Sequence, residues 1–367
     1  MNPIGLYIHV PFCEHKCPYC DFYSIKYSNE LINKYTDTIC NLLVKYSKTL
    51  DVSFDTLYFG GGTPSLLGTN NLCKIIKTIK ENFIFLAEEV TLEMNPTTIN
   101  GFDLEKVRSL GVNRLSIGVQ SAVNSELKLL GRHHNLNEVK KTINLAKKSG
   151  FNNISLDLMI SIPNQTKKSL QESIDFCTSQ NIQHISAYML KLEKGTPFFK
   201  NQEKLNIKSE DEYADLYLFA VSQLERKGFF QYEISNFCKT GFEGKHNLKY
   251  WQAKEYLGLG PSAHSFINRT RFFYPRSLND FIMGKSCTVD DGTGGTIEEY
   301  IMLCLRLKKG LIYDEFKEYF GFDFPNVYLK KAMLYENYGL LNVTDKSISF
   351  TPKGFLVSNE LTSRILF

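Results

Sequence analysis

Leu6-Tyr7-Ile8-His9-Val10-Pro11-Phe12-Cys13-Glu14-His15-Lys16-Cys17-Pro18-Tyr19-Cys20-Asp21-Phe22 is an apolar, strand-like run that ends in a loop of three cysteines spaced C-x3-C-x2-C. Three thiolates in one short loop can converge on a single inorganic centre, and soft sulfur ligands select zinc, copper(I) or an iron-sulfur cluster. A structural zinc site is closed by four protein ligands, whereas a [4Fe-4S] cluster held by three cysteines leaves one iron free for another molecule. His9 and His15 are near enough in sequence to complete a zinc site, so the loop alone leaves both centres open.

Working outward from this stretch, short β-rich runs at 4–10, 54–59, 88–94, 113–119, 153–160 and 184–190 alternate with helical stretches at 30–49, 70–83, 103–110, 135–149, 166–180 and 209–227. Leu72, Ile75, Ile76 and Ile79 have the spacing of a buried helical face, as do Val139, Ile143 and Ala146 more weakly. Gly111 and Gly150 stand where a helix would stop. Repeated βα units build a parallel sheet, and six of them predict a partial parallel (β/α)6-type barrel, although periodicity alone does not separate this from a doubly wound sheet. In either architecture the chemistry gathers at the carboxyl ends of the strands.

Polar and glycine-rich positions recur at those ends. The cysteine loop follows the first strand and Gly60-Gly61-Gly62-Thr63-Pro64 the second; Glu93 closes the third, Gln120 the fourth, and Asp157 lies in the fifth. Each has an ordinary alternative as a turn or helix cap, so their concurrence is the signal. Arg132 follows in Leu130-Gly131-Arg132-His133-His134; the adjacent histidines do not face one way and give no ligand expectation.

The chain has 367 residues, enough for one large domain and a small one. The expected divisions are 1–230 for the barrel, 231–295 for a connecting region, and 296–367 for a winged-helix-like module of three helices and a hairpin; Asp290–Thr296 reads as a flexible joint. Nine cysteines, six of them scattered, argue against a disulfide framework. A net charge of +4 implies no nucleic-acid partner, and Lys330 and Lys331 beside Glu336 make no basic stripe on the third helix of the module. The start, Met1-Asn2-Pro3-Ile4-Gly5, lacks the marks of a signal peptide and no run reaches the length of a membrane span, so the expected location is cytoplasmic.

Together, Cys13-x3-Cys17-x2-Cys20, the Gly-Gly-Thr-Pro turn at 61–64, and Glu93 and Gln120 resemble a radical S-adenosylmethionine (SAM) protein. More narrowly, Tyr7 before Pro11-Phe12-Cys13, Gly118-Val119-Gln120-Ser121, Leu130-Gly131-Arg132, Asp157 and Gly258-Leu259-Gly260-Pro261-Ser262-Ala263-His264 resemble the oxygen-independent coproporphyrinogen III oxidases of porphyrin biosynthesis and their relatives. The resemblance implies a [4Fe-4S] cluster on Cys13, Cys17 and Cys20, with SAM on its free iron. It also implies SAM contacts from Tyr7, Gly61, Gly62, Thr63, Glu93, Gln120, Arg132 and Asp157. Glycines allow close backbone approach, carboxylates and amides hold ammonium and hydroxyl groups, and Arg132 pairs with a carboxylate.

Two branches of this family differ in function. The oxidase branch carries a further cysteine two residues past the third ligand and a longer segment before the loop; here Phe22 holds that position and twelve residues precede Cys13. The other branch consists of haem chaperones, and His246-Asn247-Leu248-Lys249-Tyr250-Trp251 matches its His-Asn-x-x-Tyr-Trp signature. The expectation is therefore a haem chaperone, with haem as cargo, His246 as an axial ligand and haem-accepting proteins, membrane-associated ones included, as partners. An oxidase and another radical SAM enzyme are the alternatives, so whether the chain is an enzyme stays open. A homodimer also stays open, since three cysteines can be shared across an interface.

Overall fold

Six strands fall where the βα rhythm places them in the computed structural model, which describes residues 3–367. They are β1 Pro3–Val10, β2 Ser53–Gly61, β3 Ile84–Met94, β4 Arg114–Gln120, β5 Asn153–Ile160 and β6 His184–Met189. They lie side by side in chain order and run parallel, as a singly wound partial barrel requires, so the doubly wound alternative is excluded. Met1 and Asn2, which open the stretch expected to lack a signal peptide, lie outside the described residues. No helix among the described residues is long and apolar enough to cross a membrane.

The helices α1 Asn29–Ser47, α2 Gly68–Asn82, α3 Leu104–Ser109, α4 Leu136–Lys148, α5 Lys167–Ser179 and α6 Glu210–Arg226 cover the outer face. Local chemistry sets their starts: Ser28 and Asp103 cap α1 and α3, and capping boxes Asn135/Glu138, Thr166/Ser169 and Ser209/Glu212 open α4, α5 and α6. Leu72, Ile75, Ile76 and Ile79 of α2, and Val139, Ile143 and Ala146 of α4, are buried as their spacing predicts.

Alternation along the strands sorts two chemistries. Leu6, Ile8 and Val10, then Leu57 and Phe59, Val90 and Leu92, Leu115 and Ile117, and Leu156 and Leu158 belong to the apolar core shared with the helices. The other parity is largely polar: Tyr7 lies in register with Tyr58, Tyr58 with Thr91, Thr91 with Arg114, and Asp157 with Ser186. The barrel interior is therefore a hydrogen-bonded polar core.

Residues 231–295, expected to be a connection outside the barrel rhythm, in fact extend the sheet at both edges. Tyr256–Leu259 adds a parallel strand on the free side of β1, so β1 is an interior strand; His264–Ile267 and Thr270–Phe273 continue outward, and Asn236–Cys238 pairs antiparallel to β6. Asp290–Thr296, expected to be a flexible joint, instead supplies most of the edge strand Val289–Thr293.

The same region forms α7 Lys245–Trp251, which carries the His-Asn-x-x-Tyr-Trp sequence. Its N-terminal amides of Lys245 and His246 donate to the two oxygens of Glu89 at 2.9 and 3.0 Å, and Lys249 pairs with Asp55 at 2.6 Å. A carboxylate there answers both the orphan amides and the positive end of the helix.

Beyond Thr296, helices Ile297–Cys304, Tyr313–Phe320 and Asn326–Glu336 and the small antiparallel sheet of Leu311–Ile312, Ser347–Phe350 and Leu341–Val343 form the winged-helix-like module. Backbone bonds Ile234 N–H to Arg306 O and Lys308 N–H to Tyr232 O tie it to the barrel.

Glu89→Ala leaves the buried His246 amide and the half-buried Lys245 amide without an acceptor and should lower unfolding stability by about 1–3 kcal/mol in urea titrations. Fluorescence of Trp251, the sole tryptophan, which stands at the end of α7, should change with it.

Candidate functional site

At the carboxyl ends of the strands lies a cleft of about 650 Å³. It is lined by Cys13, Cys17 and Cys20, by Gly61, Gly62 and Thr63, and by Glu93, Gln120, Arg132 and Asp157. All the positions expected to hold the cluster or SAM thus line one surface, except Tyr7. Tyr7 does not line the cleft: its hydroxyl bonds His9 Nδ1 at 3.0 Å, and its ring lies among Tyr58 and His246. It backs the cleft wall rather than facing it.

The cysteine loop is held by the Gly-Gly-Thr-Pro turn. Gly62 and Thr63 amides donate to the carbonyls of Val10 and Phe12 at 2.8 and 2.7 Å, and the Cys13 sulfur lies 3.7 Å from the Thr63 hydroxyl. A Cβ on Gly62 would stand 2.6 Å from Phe12 O and 2.9 Å from Val10 O, so only glycine allows this approach. On its other side the loop pairs Phe12–Cys13 with Ile25–Lys26. His9, one of the two histidines that could complete a zinc site, is buried with Nδ1 on Tyr7 and Nε2 on the Tyr23 carbonyl, and burial pushes its pKa down to about 4. It has no nitrogen free for a metal.

Opposite the cysteines, a bulge between Gly118 and Gln120 and a left-handed Gln120 (φ 68°) break β4 where it meets the cleft. A Cβ on Gly118 would meet Gln120 Nε2 at 2.9 Å and Arg132 Nη2 at 3.1 Å, so this glycine makes room for both side chains. Arg132 donates through Nη1 toward the Cys17 sulfur (3.6 Å) and through Nη2 to Gly118 O (3.0 Å), while its buried Nε has no partner. A buried guanidinium with one unspent donor suits an incoming anion such as a carboxylate.

Two carboxyl groups face it. Tyr58 donates to Glu93 Oε1 at 2.8 Å and the Gly61 amide to Oε2 at 3.3 Å; Ser116 donates to Asp157 Oδ1 at 2.9 Å. Burial pushes Glu93 up to about 7 and Asp157 up to about 6, and these hydrogen bonds only partly oppose it. A site with an unspent cationic donor and two carboxyls held near neutrality fits a zwitterion that carries further positive charge. The amino-acid end and sulfonium of SAM have that character, and three half-buried thiols beside it supply the soft ligands of a cluster.

His246 is not at this site. It is fully buried beneath it, with Nδ1 bonded to Thr56 Oγ1 (2.9 Å) and Nε2 to the Tyr250 hydroxyl (2.8 Å), and its ring stacks on Tyr58. Burial and the charges of Lys249 and Arg114 push its pKa down to about 3. In this arrangement neither nitrogen is free and the ring is fully buried, so His246, expected as an axial haem ligand, is not presented to the cleft. Trp251 stacks beneath Arg306 rather than on a cleft wall. The sequence reasoning missed Tyr58, Ser116 and Tyr188, which line the cleft; their signal was the inward parity of β2, β4 and β6.

Comparison with known proteins bears on this site. A model of the radical SAM superfamily matches residues 7–177, and one of the HemN C-terminal domain matches 296–357. Heme chaperone HemW of Bacillus subtilis is 33% identical over 98% of both chains, and that of Lactococcus lactis is 31% identical over 100% of this chain and 98% of its own. The coproporphyrinogen III oxidase HemN from Escherichia coli, described as a radical SAM enzyme, superposes with a TM-score of 0.83 over 99% of this chain and 90% of its own. At 22% identity that likeness shows the shared fold.

Two outcomes test the site. Gly62→Ala should push the Phe12–Cys13 strand off its turn and cut iron and sulfide content after anaerobic reconstitution several-fold, as measured by chemical analysis. For Glu93, a raised folded-state pKa means that its contribution to apo-protein stability is full below the unfolded value and is lost as pH rises through about 7. Between about pH 5 and about pH 7.5, Glu93→Gln should therefore lose less stability than the parent in urea titrations.

Proposed function

The chain belongs to the radical SAM superfamily and, within it, to the family of the heme chaperone HemW, and on that premise we propose that it binds haem and delivers it to haem-accepting proteins. The observation that carries this reading is similarity running the full length of both chains to relatives bearing that name. The oxidase shares the fold, so the fold does not discriminate.

Cys13, Cys17 and Cys20 would hold a [4Fe-4S] cluster, and Gly61, Gly62, Thr63, Glu93, Gln120, Arg132 and Asp157 would hold SAM. When bound, the two groups supply one-electron chemistry. The chain's own residues orient and balance charge: Arg132 offers its free Nε–H to a carboxylate, Glu93 and Asp157 answer positive charge, and the 61–63 backbone fixes the loop against the ligand. Where the oxidase branch has its additional cysteine, Phe22 lies 65% exposed on the cleft wall. A bare phenyl ring can neither carry a proton nor ligate iron; it can pack against a flat apolar cargo.

Haem and coproporphyrinogen III supplied in parallel to the anaerobically reconstituted protein, with SAM and a reductant, separate the readings. The expected result is stoichiometric haem uptake, followed by absorbance, without loss of propionates from the porphyrinogen. Catalytic formation of protoporphyrinogen would instead assign the oxidase activity.

A further inference from the structure

With His246 sealed in the core, the haem iron needs a ligand from elsewhere in the chain. Of the seven histidines, His9, His184 and His246 are buried with both ring nitrogens hydrogen-bonded, and His134 is buried with Nε2 on the Val119 carbonyl. His264 is exposed but stacks on Phe273 beside Asp291, away from the cleft. His15 and His133 remain. Both are exposed, both line the cleft, and their ring centroids are 4.5 Å apart although they come from loops more than a hundred residues apart.

The cleft that this pair lines has, among its exposed rim residues, the other features a haem needs. Phe22, Tyr188 and Met189 are 65%, 43% and 37% exposed there, an apolar surface that a macrocycle can cover. Lys16, Lys191 and Arg276 bring cations to the same rim for two propionates. Lys191 and Arg276 are engaged only in exposed pairs with Glu193 and Asp21, which are weak in water and free to exchange. A cleft of about 650 Å³ suits a nucleotide-sized ligand, which leaves a macrocycle at the mouth.

We propose that haem lies across the mouth of the cluster cleft with its iron ligated by one imidazole of the His15–His133 pair. Rings 4.5 Å apart cannot sandwich an iron through two metal–nitrogen bonds of about 2 Å each, so one imidazole ligates and the other packs beside it on the same face. The cargo then sits over the SAM site, and the face of the iron turned away from the pair is available to a recipient protein's ligand. This assignment rests on the chaperone reading above.

The test is haem titration of the full-length protein, parent against His15→Ala/His133→Ala and against His15→Gln/His133→Gln, followed by Soret absorbance and electron paramagnetic resonance. In the double variant the affinity falls about tenfold or more. Its spectra shift, and added imidazole restores the parent spectra while the cluster's iron and sulfide content stays unchanged. Unaltered affinity and spectra in the double variant, with haem bound normally by the parent, overturn the ligand pair and leave the chaperone reading intact. Failure of the parent to bind haem overturns both. If the double variant loses cluster iron, His15→Gln/His133→Gln, which keeps a polar side chain in the cysteine loop, decides, and an unmoved spectrum there overturns the pair.

Discussion

Buried charge inside the barrel is the constraint from which the rest of the arrangement follows. Arg114 is 2% exposed in the interior, and a guanidinium taken out of water is tolerated only if opposite charge and hydrogen bonds surround it. Glu89, itself buried, faces it from β3 and accepts the two leading amides of α7. The helix is therefore part of the barrel's charge balance. Without it, the carboxylate would keep its desolvation cost and lose its donors, and the base of the polar core would open to water.

This arrangement gives the barrel a sealed base and an open top. Below, Glu89 accepts the leading amides of α7, Thr56 bonds His246, and Arg114 donates to Thr91 in the field of Glu89; in the middle, Tyr7, Tyr58 and His246 form an aromatic layer. Above it, Glu93, Asp157 and Arg132 keep unfinished electrostatics at the cleft. Moving His246 to a cargo would leave Thr56 and Tyr250 without their shared partner, at a cost of about 1–3 kcal/mol for each stranded polar group. The signature that distinguishes the family branch is, in this structure, a structural plug whose effect reaches the cleft only through Tyr58 and the Glu93 carboxyl it donates to.

The six strands, their helices and the convergence of Cys13, Gly61, Glu93, Gln120 and Asp157 were legible because they depend on period and on strand ends, both local properties of the chain. The region 231–295 was not, because its strands are two to five residues long, interrupted by glycine, and gain their place only from an edge already built. That His246 and Tyr7 stand away from the cleft was not legible, for a related reason. A motif places a histidine or tyrosine near others, but whether its polar atoms face a ligand or the neighbouring strands depends on Thr56, which is remote in sequence, and on Tyr250 and His9, which are near in sequence but are aimed only by the finished fold. The pairing of His15 with His133 was invisible for the same reason, since nothing local joins the two loops.

Cysteine chemistry and carboxyl chemistry in the cleft are also coupled through Arg132. Its guanidinium lies between the Cys17 sulfur and the Gly118 carbonyl, so it sees negative charge on the thiolate side whenever the sulfurs are ionised. A centre that takes up thiolate charge would free the same guanidinium to attract a carboxylate through Nε. Binding at the sulfurs would thus strengthen the pull on a zwitterionic partner, while Glu93 and Asp157, held near neutrality by burial, give up protons as that partner's positive charge arrives.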